Sequence, residues 1–230
     1  MRLRNLFGIE MVEVSLAERL VSAFGAALAI YLVFCVSSYK LPSGAAFGVI
    51  ASMGATAVLL FAVPRSALSQ PWPVVLGHSV SALIGVTCAR MIADPAAAAA
   101  CAVGGAIGAM HLLKCIHPPG GATAFTAVMG GQGIVDLGFG YLLYPVLLNV
   151  TVMLAVAFCV NYPFRWRRYP SALGQGTQQA KIHPADVSQE THTKIVAAIR
   201  SLDSFVDVSE EDLVYLANRI VSTVSKQGFG

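Results

Sequence analysis

Charge is what this sequence has least of. Only 12% of its 230 residues are Asp, Glu, Lys or Arg, about half the share found in a soluble globular domain, which argues against a surface solvated by water alone. Between residues 20 and 160 the formal charges are Lys40, Arg65, Arg90, Asp94, Lys114 and Asp136, and all of them stand near the ends of apolar runs. The runs contain no interior Asp or Glu, so a carboxylate proton relay has no support. The five cysteines (Cys35, Cys88, Cys101, Cys115 and Cys159) have no CxxC spacing, and neither a disulfide framework nor a zinc site is suggested. No metal and no cofactor are expected. The first apolar stretch is broken by Glu10, Glu13 and Glu18 and does not read as a signal peptide.

Long hydrophobic runs are what is there instead, with 56% of the residues hydrophobic. Residues 20–39, 44–63, 74–93, 96–113 and 138–160 form five such runs. Each reaches or approaches the roughly 20 residues needed to cross about 30 Å of hydrocarbon. A sixth, shorter and rich in glycine, covers 121–135. The expected fold is all-α, a polytopic transmembrane helix bundle of about six spans.

The net charge of +3 comes from positive residues at span ends, where they act as orientation signals rather than as a nucleic-acid surface. Arg2, Arg4 and Arg19 precede the first run, while Arg165, Arg167 and Arg168 follow the last. Both ends therefore belong in the cytoplasm, with the chain in a cell (inner) membrane, and the number of crossings is even. Six is preferred; four full spans with one re-entrant segment give the same sidedness.

Six spans divide into three plus three. The tetrapeptide GATA occurs at Gly54–Ala57 and again at Gly121–Ala124, an offset of 67 residues that also carries 74–93 onto 141–160. Two halves with three crossings each would be oppositely oriented, as in transporters built from inverted repeats. Four small residues in an Ala/Gly-rich chain also match by chance.

The segment HLLKCIHPPGGATAF, His111 to Phe125, carries the chemistry. Pro118 and Pro119 remove two amide donors and disfavour helix at His117, so a helix must stop there. A break at membrane depth is tolerated only where the freed backbone meets protein or water. The helix that begins near Gly120 would point its amides and its positive dipole end at a small anion, with Thr123 adding a hydroxyl. The alternative is a surface connector with a solvated His117. His78, inside the third run, and His111, near the end of the fourth, are further candidates as intramembrane histidines, though a neutral histidine bonded to a carbonyl reads equally well. Gly44 with Gly48 and Gly104 with Gly108 have the GxxxG spacing of packed membrane helices.

Three stretches, GATAVLLFAVPRSALSQP from Gly54, HPPGGATAF from His117 and PVLLN from Pro145, resemble the HPP family of integral membrane proteins over about residues 20–161. The resemblance implies a small membrane protein of four or more spans and presumed transport role, with plastid and cyanobacterial members associated with nitrite. It makes His117, Pro118, Pro119, Gly120, Gly121 and Thr123, together with Gly54 and Thr56, the candidate substrate-path residues; His78 joins them as an intramembrane histidine.

Four regions follow. Residues 1–19 are a cytoplasmic amphipathic segment in which Ser15 and Glu18 have capping-box spacing, and 20–161 are the transmembrane domain. Residues 162–187 are an aromatic-basic belt and linker, and 188–230 a cytoplasmic helical tail with Ser209 as a helix N-cap. The leading functional expectation is transport of a small monovalent anion, nitrite first, by a protein that is not an enzyme. A membrane sensor or scaffold acting through the tail is the alternative, and a membrane enzyme the next, although His78, His111, His117 and the cysteines form no nucleophile–base set. The expected partners are the lipid bilayer, a small anion and, left open, a homo-oligomer; nucleic acid is not expected.

Overall fold

The computed structural model describes residues 14–39, 43–164 and 166–174, with the backbone alone for 43–48. The amphipathic segment before residue 14 and the expected tail helices lie outside the described residues. All regular structure among the described residues is helical: α1 Leu16–Ser38, α2 Ser43–Ala62, α3 Pro71–Met91, α4 Pro95–Leu112, α5 Pro119–Met129, α6 Gln132–Val135 and α7 Leu148–Asn161.

The boundaries follow local chemistry. Ser15 caps α1 by accepting from the Glu18 N–H at 3.2 Å, and Asp94 caps α4 by accepting from the Ala97 N–H at 2.7 Å. Pro71 and Pro95 stand at the first helical positions of α3 and α4, where a missing N–H costs nothing. The last run is not one straight helix. A wide turn over Leu142–Leu147 leads into α7, and Tyr144 within it is extended at φ −133°, ψ 121°. Pro145 is the cause, since proline lacks a donor and biases the residue before it away from the helical region.

Among the described residues four helical elements are long and apolar enough to cross a membrane: Leu16–Ser38, Pro71–Met91, Pro95–Leu112 and Leu142–Asn161. The 20-residue α2 is apolar over Val49–Ala62. The segment expected as the sixth crossing departs from that expectation, because it is divided into α5 with 11 residues and α6 with four. Eleven residues rise about 16 Å, half of the hydrocarbon thickness. A half-length helix fits the re-entrant alternative. The GATA copies accordingly sit in helices of unequal length, 20 and 11 residues, and the equal halves of an inverted repeat are not evident in them.

Large apolar side chains face outward, among them Leu20, Phe24, Tyr31 and Trp72, as expected where lipid is the solvent. Inside, α1, α2 and α7 share one apolar core through Ala29, Val33, Met53, Leu60, Phe61, Met153 and Ala157. Helix α3 packs against both α4 and α5, and α5 also meets α2. Small residues bring α3 and α5 unusually close. A methyl placed on Gly77 would lie 2.7 Å from His117 Cβ, on Gly85 2.7 Å from the Ala124 oxygen, and on Gly120 2.7 Å from Ser81 Oγ. Gly104 and Gly108, by contrast, meet nothing within 4 Å, so their GxxxG spacing is not used at a described interface.

The segment after α7 folds back on the bundle. Arg167 is fully buried; its guanidinium donates to Glu18 Oε1 at 2.9 Å, Asn161 Oδ1 at 2.9 Å and the Phe61 carbonyl at 2.6 Å. Trp166 Nε1 donates to the other Glu18 oxygen at 2.7 Å. Tyr169 reaches the Ser69 carbonyl at 2.8 Å. Residues read as an orientation belt thus fasten the start of α1 to the end of α2.

Candidate functional site

Four polar side chains from four separate parts of the chain meet where α2, α3 and α5 converge. Thr56 comes from α2, His78 from α3, Thr123 from α5 and His117 from the turn preceding α5, and none has any exposed surface. The two GATA threonines lie on the two nitrogens of one ring: Thr56 Oγ1 is 2.9 Å from His78 Nε2, and Thr123 Oγ1 is 2.7 Å from His78 Nδ1. Thr56 Oγ1 is also 3.3 Å from His117 Nε2, and His117 Nδ1 is 2.9 Å from the Leu68 carbonyl. The two imidazoles stand edge to face, 4.8 Å between centroids.

One carbonyl orders the whole chain of bonds. The Leu68 oxygen can only accept, so His117 carries its proton on Nδ1 and presents a lone pair at Nε2. Thr56 supplies that lone pair with its hydroxyl proton, and its oxygen in turn accepts from His78 Nε2–H. His78 Nδ1 is then the acceptor for Thr123. Every ring nitrogen is satisfied with both histidines neutral. If Thr56 gave its proton instead to the Ser52 carbonyl, 3.1 Å away, the neutral His117 would keep a buried acceptor without a donor, at a cost of about 1–3 kcal/mol.

Around this knot, Tyr141 donates to the Thr123 carbonyl at 3.2 Å. Ser81, one turn along α3 from His78, is fully buried and its Oγ has no hydrogen-bond partner among the described residues. Sequence reasoning missed Ser81; its i+3 relation to His78 was the available signal. The knot holds two imidazoles and no carboxylate or thiolate among the described residues, and no group of three or more His, Cys, Asp or Glu there is placed to hold a metal ion.

The candidates divide. Thr56, His78, His117 and Thr123 are brought together. Full burial of His117 is incompatible with the solvated-connector alternative. Pro119 and Gly120 are buried, Gly120 against Gly77 and Ser81 of α3, whereas Pro118 is exposed. Gly54 has no neighbour within 4 Å of an added methyl and Gly121 meets only Val103 at 3.9 Å; neither lines the knot. His111 is exposed.

The expected anion cradle of free amides is absent, for a reason that counts donors. Of the four N–H groups that a helix start leaves open, Pro118 and Pro119 have none to offer. Gly120 donates to the His117 carbonyl at 2.8 Å and Gly121 to the Pro118 carbonyl at 3.0 Å. The helix start is closed by its own turn, and polar capacity resides in the side chains instead.

Residues 11–170 match the HPP transmembrane-region family. The chain belongs to this family. Its HPP tripeptide is the turn that delivers His117 to the knot. A transmembrane protein of Dictyostelium discoideum is 45% identical over 123 residues, covering 52% of this chain and 39% of the relative. A second from the same organism is 39% identical over 125 residues, covering 53% and 44%. The matched stretch therefore spans less than half of each relative. No solved structure matches the chain. With its several long apolar helices, this HPP protein is a multi-pass membrane protein.

Proposed function

We propose that this HPP protein moves a small monovalent anion across a cell (inner) membrane, with both ends on the cytoplasmic side, and that it does so without enzymatic chemistry. The observation that carries the reading is the buried knot: four hydrogen-bonding side chains without exposure, beside a helix break, within a bundle whose helices pack through three apolar clusters. Polar groups at such depth are costly and mark a solute path. Hydroxyls and imidazoles without a fixed positive charge suit a weakly hydrated monovalent anion better than phosphate or sulfate, and the family resemblance points to nitrite. Ser81 Oγ supplies an uncommitted donor next to the knot.

The described state is closed, so a path opens only if an element moves. The half-length α5, held to α3 by glycine contacts, is the short lever among long neighbours.

Uptake into proteoliposomes tests the reading. Nitrite should enter down its gradient, and Thr56→Val with Thr123→Val should cut the rate about tenfold or more, the loss of roughly 1.4 kcal/mol of binding, in protein that remains folded. No uptake of nitrite, nitrate, formate or bicarbonate above protein-free vesicles would refute it.

A further inference from the structure

We propose that the knot is a one-proton store, in which His117 takes up a proton together with the anion, so that the transport proposed above is a proton–anion symport. The inference rests on that transport reading and adds its coupling ion.

The hydrogen bonds of the knot close with either of two proton counts. With both rings neutral, Thr56 donates to His117 Nε2 and the Ser52 carbonyl at 3.1 Å is left unused by it. Add one proton to the Nε2 lone pair of His117. The ring becomes an imidazolium that donates through Nδ1 to Leu68 and through Nε2 to Thr56. The Thr56 hydroxyl then turns to Ser52, and its oxygen accepts from both His117 and His78. The Thr123–His78 bond is unchanged. One proton passes from hydronium to Nε2, an O–H bond breaking as the N–H bond forms and water departing, and one hydroxyl rotates. The Ser52 carbonyl, superfluous in the first state, is what makes the second complete.

The added charge has no built-in counter-ion. Against His117 stand Thr56 from α2, whose hydroxyl also reaches the Ser52 carbonyl, His78 from α3 and the Leu68 carbonyl from the preceding turn. The nearby titratable groups are His78, Cys115 on its own loop and Tyr141, whose hydroxyl reaches the Thr123 carbonyl. None of the four knot residues bonds a carboxylate, lysine or arginine among the described residues. An unpaired imidazolium is disfavoured in such a place. A monovalent anion at the knot removes that cost, and an opposite charge within about 4–6 Å raises proton affinity by about ten- to a thousandfold. Linkage makes the effect reciprocal: the proton strengthens anion binding by the same factor.

Two measurements on the full chain test this. First, nitrogen-15 NMR of histidine-labelled protein in lipid bilayers, titrated from about pH 8 to about pH 4 across the ordinary histidine range, should show His117 passing from the Nδ1–H neutral form to imidazolium while His78 stays neutral. Nitrite should move the His117 midpoint upward by at least tenfold in proton affinity relative to gluconate. A midpoint indifferent to nitrite, or a His117 that never protonates, overturns the store. Second, an inward nitrite gradient should acidify the lumen of proteoliposomes by one proton per nitrite, with protein-free vesicles giving the background from nitrous acid crossing lipid alone. His117→Gln should abolish the proton component. Nitrite flux without protons overturns the coupling and leaves transport standing. Absence of nitrite flux overturns the transport reading and the symport with it, and the NMR midpoint then decides the store by itself.

Discussion

The two buried polar systems of this protein are built on opposite principles. At the clamp, a guanidinium with full charge is met by a carboxylate, an amide oxygen and a backbone carbonyl, so its donors and its charge are both answered. In the knot nothing is charged, and one hydroxyl has two acceptors to choose between. The first arrangement tolerates little rearrangement, because removing Glu18 leaves the fully buried Arg167 guanidinium without its counter-charge. The second loses little when a hydrogen changes direction. Stability resides in the clamp, and adjustability in the knot.

The largest effect is expected from breaking the clamp. Glu18→Met leaves the fully buried Arg167 guanidinium without its counter-charge and should cost about 3–5 kcal/mol, read as a lowered thermal midpoint in detergent. Replacing Arg167 by Met in the same protein should restore part of it. Nitrite flux per folded molecule should be unaffected by the pair; a selective loss of flux would erase the contrast between the two systems. Next in size is Gly120→Ala, whose methyl would lie 2.7 Å from Ser81 Oγ and 3.1 Å from the Gly77 oxygen. Pushing α5 off α3 should cost about 1–3 kcal/mol and slow flux together with stability. Thr56→Val should cost about 1 kcal/mol or slightly more yet reduce flux far more than the Arg167→Met pair does. The smallest effect belongs to Gly104→Ala and Gly108→Ala, which meet open space. These should be neutral or stabilise by up to about 1 kcal/mol, and a large loss in either would place a helix partner on that face of α4.

Much of the knot was legible in the sequence, because proline, glycine and buried histidine each restrict what the backbone and its surroundings can be. His117, Thr123, Thr56 and His78 were all singled out from the tripeptide, the GATA pair and the third run. What failed was helical phase. Gly54 and Gly121 are each two residues from a knot threonine, about 200° around the helix, and face away from it. Hydropathy also hid the division of the sixth run, since it measures composition and not the length of the helix that forms: residues 121–135 are apolar enough yet break into two pieces. The break at Tyr144 was hidden within the apolar run 138–160, although Pro145 announced it. Arg167 could not have been found at all. Its partners Glu18 and Phe61 lie more than 100 residues away in the chain, and no local pattern separates an arginine that turns inward from one that marks the cytoplasmic side.

The short turn Ala67–Ser69 joins these two systems through neighbouring carbonyls. Leu68 offers its oxygen to His117 and Ser69 offers its own to Tyr169. Both peptide planes are held in the turn, the Ser69 N–H by the Ser66 carbonyl at 3.1 Å and the Gln70 N–H by the Ala67 carbonyl at 3.5 Å, so a tilt of one strains the other. This three-residue turn is therefore a rocker with a hand on each end: a pull on Tyr169 reaches the acceptor that tells His117 which nitrogen keeps its hydrogen.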